Sequence, residues 1–201
     1  MAEPCIKGIT LQSVVDDVRL LRDSARVSQE ELAARLQERE LAWLRDGVQP
    51  SLWYPIEGYT RLSELLLEVE GRGDPEYLVR RGAAAAERLY ASGLYAQLRH
   101  GEERRSEERA GGREFSEKDG RLMTTLSGAV FNFGKWSYRE DGDDIVIEVT
   151  NAAAMPEVSR LAAHGFIAHI ASRVRDAKIE VRSSRPALDH IVFRFENRRG
   201  A

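Results

Sequence analysis

The chain has 201 residues, of which 42% are hydrophobic and 31% are charged, the composition of a globular protein with a substantial core. The net charge of −3 at pH 7 gives no overall attraction to nucleic acid or to an anionic membrane surface, so neither partner is expected. No apolar run approaches the ~20 residues of a membrane-spanning helix. The single cysteine, Cys5, cannot form an internal disulfide, and the first residues lack the layout of a signal peptide, so we predict a cytoplasmic location.

Helices are predicted along the first part of the chain, about residues 6–131. Apolar residues recur at helical spacing between Ile9 and Leu21. Ser28 and Glu31 form a capping-box pattern, in which a hydroxyl and a carboxylate three residues apart serve the exposed amides of a first helical turn. Four leucines continue this helical pattern: Leu32, Leu36, Leu41 and Leu44.

Later helix starts are marked by prolines and by capping residues. Pro55 and Pro75 can each open a helix, because the N–H that proline lacks would be unpaired at a first helical position. The alanines from residue 83 to 86 suit a close helix–helix crossing. The stretch HGEERRSEERAGGREF, residues 100–115, carries charges of both signs and no large aliphatic residue, so we predict a flexible connection there; an extension of the preceding helix is the alternative. Ser116 is expected to cap a further helix.

Beyond Phe133 the apolar period changes from that of a helix to that of a strand. Trp136 and Tyr138 share one face, and alternating branched residues follow a turn of glycine and aspartate. A helix after Pro156 and a second strand pair, KIEVRSS and HIVFRFEN with a turn around Pro186, complete the pattern.

The predicted fold class is therefore α+β, in a single domain of residues 1–201. N-terminal helices pack with a four-stranded antiparallel sheet whose elements, in about residues 133–197, follow the order ββαββ. A helix between the two strand pairs would cover one face of the sheet.

Several stretches together resemble a known group of proteins: WYPIEGYTRLSELLLEV, GDPEYLVRRGAAAAERL, FNFGKWSYREDGDDIVIEV, and a helix followed by VR and FRFE. From about Ile6 to Glu196 the chain resembles an uncharacterised family found mainly in myxobacteria. That family is related to the 4-vinyl reductase and heme-NO-binding-like domains and more distantly to the TRAPP tethering subunits. The resemblance implies that helices and sheet can enclose a small hydrophobic ligand, an acyl chain or, in one branch, heme. It implies a sensor or a scaffold rather than an enzyme.

The sequence departs from these relatives where their metal chemistry lies. Proteins of the 4-vinyl reductase type often carry zinc-binding cysteines near the last hairpin, and the segment SSRPALDHIVFRFE has none. The heme-NO branch uses a helical histidine and a Tyr-x-Ser-x-Arg motif. His100 follows a helical stretch, but the nearest stretch to that motif, residues 136–139, does not match it. No metal and no cofactor are therefore predicted, and a heme-based gas sensor is kept as an alternative.

Aromatic residues are the candidates for a ligand pocket between helices and sheet, because aromatic side chains line most small-molecule pockets. Polar groups on Tyr54, Tyr138 and His169 would then orient the ligand. The same pattern also builds an ordinary core, and an exposed Trp53–Tyr54 pair would instead anchor a partner protein. The predicted pocket residues are Trp53, Tyr54, Tyr59, Phe131, Phe133, Trp136, Tyr138, Phe166 and His169.

The sequence contains no nucleophile–base or metal-binding motif, so no catalytic residue is predicted. His164 and His169 are five residues apart, which places them on different faces of a helix and disfavours a metal pair. We therefore predict a non-catalytic cytoplasmic regulatory domain that senses a small hydrophobic ligand or binds a partner protein. The alternatives are a structural scaffold that forms a homodimer through its N-terminal helices, and an enzyme in which His164 or His169 acts as a base.

Overall fold

The computed structural model describes residues 2–91 and 115–197. These residues form an α+β protein with a four-stranded antiparallel sheet, which confirms the predicted fold class. Their seven helices are α1 (Gly8–Asp23), α2 (Gln29–Arg35), α3 (Glu38–Asp46), α4 (Ile56–Val69), α5 (Glu76–Ala91), α6 (Glu117–Val130) and α7 (Glu157–Arg175). The strands are β1 (Cys5–Lys7), β2 (Trp53–Pro55), β3 (Lys135–Asp141), β4 (Asp144–Thr150), β5 (Arg182–Ala187) and β6 (His190–Glu196).

The first four helices surround a core of aliphatic side chains. The predicted capping box at the start of α2 is confirmed: the Glu31 N–H donates to the Ser28 hydroxyl at 3.1 Å, and the Ser28 N–H donates to the Glu31 carboxylate at 2.7 Å. The fully buried residues of this first core include Leu11, Val15 and Val18 of α1 and Leu62 and Leu66 of α4.

The helical pattern that follows Ser28 is divided between two helices, α2 and α3. Leu36 has extended backbone angles at the end of α2. The N–H of Gln37 then donates to the Glu40 carboxylate at 2.7 Å, which forms a second capping box and begins α3. Leu32, Leu36 and Leu44 are all buried in the first core on both sides of this break.

Two short strands lie within the region predicted to be helical. Ile6 of β1 pairs with Tyr54 of β2, and on its other side Ile6 forms an antiparallel bridge with Phe131. Strands of three residues are too short to show an alternating pattern, which is why the sequence did not reveal them.

The larger sheet has the strand order β3-β4-β6-β5 and is antiparallel throughout. The predicted turn between β3 and β4 contains Gly142 in a left-handed conformation, with φ of 62°. The predicted last hairpin needs correction: Pro186 lies inside β5, and the chain turns at residues 188 and 189 instead. Proline is tolerated there because β5 is an edge strand and its register shifts between Ser184 and Ala187.

Helix α7 covers the inner face of this sheet and crosses α5 at close range. A side chain on Gly82 would overlap the Ala162 carbonyl, and one on Gly165 would overlap the Val79 carbonyl, so both positions require glycine. The predicted close crossing therefore involves glycine as well as the alanine run. The buried residues of the second core, on the inner face of the sheet, include Ile145, Ile147, Val149, Ile191, Phe193 and Phe195.

The two cores meet at Phe131 and Phe133, which pack against both of them. The predicted flexible connection, residues 100–115, lies outside the described residues except for Phe115, whose side chain is buried. Among the described helices, none combines the length and the apolar character needed to cross a membrane.

Candidate ligand-binding site

Helices α6 and α7 lie side by side on the inner face of the sheet and leave a cleft between them. Their residues belong to the same second core: Met123 comes from α6, and Ile167 and Ile170 come from α7. The cavity in the cleft measures about 10 Å³, which is room for about one water molecule. The residues that line it are Asp119, Leu122, Met123 and Leu126 of α6 and Phe166, Ile170 and Val174 of α7.

The walls of the cleft follow from helical periodicity. Leu122 and Leu126 are four residues apart on α6, and Phe166, Ile170 and Val174 repeat at four-residue spacing on α7. Residues at this spacing stand above one another on one face of a helix, so each helix presents an apolar stripe to the other. The two walls of the cleft are therefore apolar.

One carboxylate lies at the end of the cleft where α6 begins. Asp119 is almost fully buried, and its Oδ2 accepts hydrogen bonds from the Ser116 N–H at 2.8 Å and the Ser116 hydroxyl at 2.6 Å. This carboxylate therefore serves as the capping group of α6, as the pattern after Ser116 predicts.

Helix α6 is held at both ends by an asparagine. Before the helix, the side chain of Asn197 accepts from the Phe115 N–H at 2.8 Å and donates to the Phe115 carbonyl at 2.9 Å. Arg175 donates to the backbone and side-chain oxygens of Asn197. After the helix, Asn132 accepts from the Cys5 N–H at 2.6 Å. The position of one wall of the cleft is thus set by polar contacts at its two ends.

Of the nine predicted pocket residues, Phe166 lines the cleft. Trp136 stacks between Phe131 and Phe193, with ring centroids 6.4 and 6.1 Å apart. Phe133 packs on Phe131 at 5.4 Å. These rings join the two cores beside the cleft, and they fill space rather than border the cavity.

Tyr138 packs beside the first turn of α6. Its ring lies against Gly120, and its centroid is 6.1 Å from that of Phe115. Its hydroxyl donates at 2.8 Å to the exposed side chain of Glu140, two residues further along the same face of β3. Burial, followed by this hydrogen bond, raises the pKa of Tyr138, so the phenol is neutral at physiological pH.

Three predicted pocket residues belong to the N-terminal part of the protein and do not approach the cleft. Tyr59 is buried in the first core, and burial raises its pKa. The ring of Tyr54 meets that of Trp43 edge-on at 5.4 Å, and its hydroxyl accepts from the Gln49 N–H at 2.7 Å. Trp53 is exposed on β2, where the Lys7 ammonium lies 4.2 Å from its ring. The structure thus separates these residues from the aromatic group beside the sheet.

His169 lies on α7, and its ring nitrogen Nε2 is buried without a hydrogen-bond partner among the described residues. Burial lowers the pKa of His169, while the charge of Glu87 on α5 opposes that change. The side chain is not among those that line the cleft. Its predicted role in orienting a ligand is not visible in this arrangement.

A second polar cluster lies where α7 meets the edge strand β5. The Nδ1 of His164 is 3.0 Å from the hydroxyl of Ser183, and Arg160 donates a hydrogen bond to the same hydroxyl. Burial, followed by the charge of Arg160, lowers the pKa of His164. This cluster is a contact between a hydroxyl and a base that the sequence did not reveal, because the two residues come from different elements. Among the described residues, no group of three or more potential metal ligands comes together.

The sequence assigned the lining residues of α6 and α7 to helices, and among them it identified only Phe166 as a pocket residue. Their four-residue spacing was the available signal, and it is shared by every amphipathic helix. Which two stripes face each other depends on the sheet that supports both helices.

No family model matches the sequence, and no curated protein matches it. The structure is similar to that of an Fe(II) unliganded H-NOX protein variant from K. algicida, at 12% identity with a TM-score of 0.58. This match covers 96% of the present chain and 97% of the other chain. It is also similar to a structure solved in work on modulating heme redox potential through protein-induced porphyrin distortion. That match has 14% identity and a TM-score of 0.54 and covers 95% of this chain and 99% of the other.

The described residues do not fit a heme. A pocket for a molecule of that size needs about 300 Å³ or more, and the cleft has a volume of about 10 Å³. His164 faces Ser183, His190 lies 3.8 Å from Glu148, and His169 does not line the cleft. His100, the histidine that the family resemblance points to, lies outside the described residues.

The comparisons confirm the heme-NO-binding side of the predicted resemblance at the level of the fold. The relation to 4-vinyl reductases and to TRAPP subunits stays a prediction. The chain has the overall fold of H-NOX proteins, while its described residues present a closed apolar cleft.

Proposed function

We propose that the chain is a non-catalytic, cytoplasmic sensory domain that binds a small hydrophobic ligand between α6 and α7. The observation that carries this proposal is the pair of apolar stripes that face each other across the cleft. The similarity to H-NOX structures supports it, because the predicted family resemblance implies a ligand site between helices and sheet. The cytoplasmic location rests on the single cysteine.

The closed cleft sets a condition on the ligand. A molecule larger than water enters only if the middle of α6 moves away from α7, which exposes the side chains of both walls. Exposing apolar surface to water costs a free energy of about 25 cal/mol for each Å². A ligand offsets this cost when it covers the same surface with apolar groups, so the site selects hydrophobic molecules. The apparent affinity then equals the affinity of the open form multiplied by the fraction of molecules that are open, so a rarely open cleft binds weakly.

The movement of α6 gives the ligand a physical effect on the rest of the protein. Because Asn132 joins the end of α6 to β1, a displaced α6 changes the contacts of the N-terminal strand. A ligand that binds the open form alone shifts the population toward that form. This is the behaviour expected of a sensory domain.

The experiment uses a neutral fluorescent probe, N-phenyl-1-naphthylamine, titrated with the full chain. We expect its emission to rise on binding to the wild type, and Leu126→Trp, which fills the cleft, to weaken binding about tenfold. Thr125→Trp is the matched control, because Thr125 is exposed on the same helix. Equal binding by the wild type and by Leu126→Trp contradicts the proposed site.

The ligand class has a separate test. Native mass spectrometry of the purified chain reports any retained small molecule together with the subunit number. The absorption spectrum after addition of hemin tests the alternative of a heme sensor. We expect no Soret band; a stoichiometric Soret band would replace the proposed ligand class with heme.

A further inference from the structure

Most of the large apolar side chains exposed on the described surface lie along or beside α1. Four of the five belong to α1 or to the segment beside its first turn. The Gly8 N–H donates to the Leu52 carbonyl at 2.9 Å, and the Ile9 N–H donates to the Pro50 carbonyl at 3.0 Å, so this segment lies directly against α1. The exposed fractions are Ile9 49%, Leu20 65%, Leu52 48%, Trp53 42% and, at the far turn between β5 and β6, Leu188 74%.

Ile9 and Leu20 lie on the same face of α1. Eleven residues separate them, which is three helical turns with a rotation of about 20° and a rise of about 16 Å. Ser13 and Asp16 lie on the same face between them. The opposite face of α1 is buried in the first core, so the outer stripe is the part of this helix that remains available for contact.

We propose that this outer stripe of α1, together with Leu52 and Trp53, is the interface of a symmetric homodimer. The two α1 helices pack antiparallel about a two-fold axis near residues 14 and 15. This inference goes beyond the proposed sensory function and does not depend on the ligand site.

The antiparallel arrangement is self-complementary. It places Ile9 against Leu20 of the second copy and Ser13 against Asp16 of the second copy, where the hydroxyl can donate to the carboxylate. The carboxylate of Asp16 lies 3.5 Å from the Arg19 guanidinium, which offsets the repulsion between the two Asp16 side chains near the axis.

Charge also matches at the ends of the interface. The same arrangement brings Asp23 close to Lys7 of the second copy. Asp23 is exposed at the end of α1, where the Arg22 guanidinium lies 2.8 Å from its carboxylate. Among the described residues, no carboxylate lies within ion-pair distance of the Lys7 ammonium, which lies over the ring of Trp53 instead. The second copy thus brings a carboxylate to Lys7 at each end, and Arg22 shares that carboxylate.

The charges on the outside of α1 are balanced: Asp16, Asp17 and Asp23 each form an ion pair with an arginine, namely Arg19, Arg81 and Arg22. This face therefore offers no concentrated positive charge to nucleic acid or to an anionic membrane. A 16-residue helix is about 24 Å long, and with Leu52 and Trp53 it covers on the order of 600–800 Å² on each copy. That area lies at the low end of specific interfaces, so we expect a dimer that forms at micromolar concentration.

Sedimentation equilibrium of the full chain over about 1–200 µM tests the proposal. We expect the mass to rise from 22.7 kDa toward twice that value with concentration. Leu20→Asp should weaken association at least tenfold, whereas Leu188→Asp, at the most exposed large apolar side chain of the described residues, should leave it unchanged. Circular dichroism checks that both variants fold. A monomer at every concentration, or equal loss in both variants, overturns the proposal.

A charge exchange tests the antiparallel geometry. Lys7→Glu and Asp23→Lys should each weaken the dimer several-fold, and the double variant should restore it, because each end then carries the reversed pair. Failure of the double variant to recover overturns the antiparallel arrangement. Loss of the dimer leaves probe binding in the α6–α7 cleft unchanged, so this proposal and the proposed ligand site can fail independently.

Discussion

The side chain of Asn132 and the backbone of Cys5, 127 positions apart, are joined by a hydrogen bond of 2.6 Å from the Cys5 N–H to Oδ1. The Asn132 N–H returns a bond to the Cys5 carbonyl at 3.2 Å, and its Nδ2 donates to the Glu3 carbonyl at 2.9 Å. One residue therefore ties the end of α6 to β1. Because Asn132 lies shortly before β3, and Ile6 of β1 is buried in the first core, this contact connects the helical part to the four-stranded sheet.

Replacing Asn132 tests how much that connection stabilises the fold. Asn132→Ala removes the acceptor for the Cys5 N–H, and we expect the free energy of unfolding to fall by about 1–3 kcal/mol. Asn132→Asp keeps the acceptor and loses the donor to Glu3, so its loss should be smaller. Urea unfolding followed by circular dichroism measures both. If Asn132→Ala is as stable as the wild type, the contact does not hold the two parts together.

Replacing glycine by alanine should have opposite effects on stability at the α5–α7 crossing and at an open position on α6. A methyl group at Gly82 overlaps the Ala162 carbonyl, whereas Gly128 of α6 has no neighbour within 4 Å of such a group. We expect Gly82→Ala to lower the free energy of unfolding by about 3 kcal/mol, because backbone must move. Gly128→Ala should raise it by up to about 1 kcal/mol, since alanine favours a helix. Thermal unfolding of both variants decides the matter, and a stable Gly82→Ala would show that the helices lie further apart.

Local patterns in the sequence predicted the elements better than their contacts. The capping boxes at Ser28 and Ser116 involve residues three apart, so they can be predicted from the local sequence. The change of period after Phe133 likewise predicted strands. Asn132 stands between two phenylalanines and carries no sign that its partner is Cys5, because a contact across the whole chain depends on the packed fold.

The candidate site was predictable only in part for the same reason. Aromatic residues were expected to converge, but Tyr59 fills the first core, and Trp53 is exposed because β2 is a short strand at the surface. The cleft is lined instead mainly by aliphatic residues such as Leu122 and Ile170, which look like ordinary core positions in the sequence. Their role follows from two helices that share one sheet.

The Ser183–His164 contact provides a test of the proposal that the chain is not an enzyme. Ser183 does not line the cleft, and Arg160 already donates to its hydroxyl, so we expect no reaction with a fluorophosphonate. In such a reaction the serine oxygen would displace fluoride and His164 would take the proton. Intact-protein mass spectrometry would reveal the adduct, with Ser183→Ala as the control. An adduct lost in both Ser183→Ala and His164→Gln would contradict a non-catalytic role.

Glu40 predicts how stability changes in acid. This carboxylate is fully buried and accepts hydrogen bonds from Arg61 at 2.7 Å, Arg39 at 2.8 Å and the Gln37 N–H at 2.7 Å. Burial alone raises the pKa of Glu40, but these bonds outweigh it and the pKa is lowered from the ordinary value of 4.5. A lowered pKa in the folded state stabilises the protein above pH 4.5, and that contribution is lost as the pH falls through the folded value.

Glu40→Gln should therefore lower the free energy of unfolding by about 1–3 kcal/mol at pH 7, because the partly exposed Arg39 and Arg61 lose their charged partner. The loss should shrink as the pH falls below 4.5, where the wild-type carboxyl also becomes neutral. Glu38→Gln is the control, since Glu38 is exposed and pairs with Arg45 at the surface. Urea unfolding across this pH range gives both curves. A constant difference between Glu40→Gln and the wild type at every pH would mean that the carboxylate charge does not stabilise the fold.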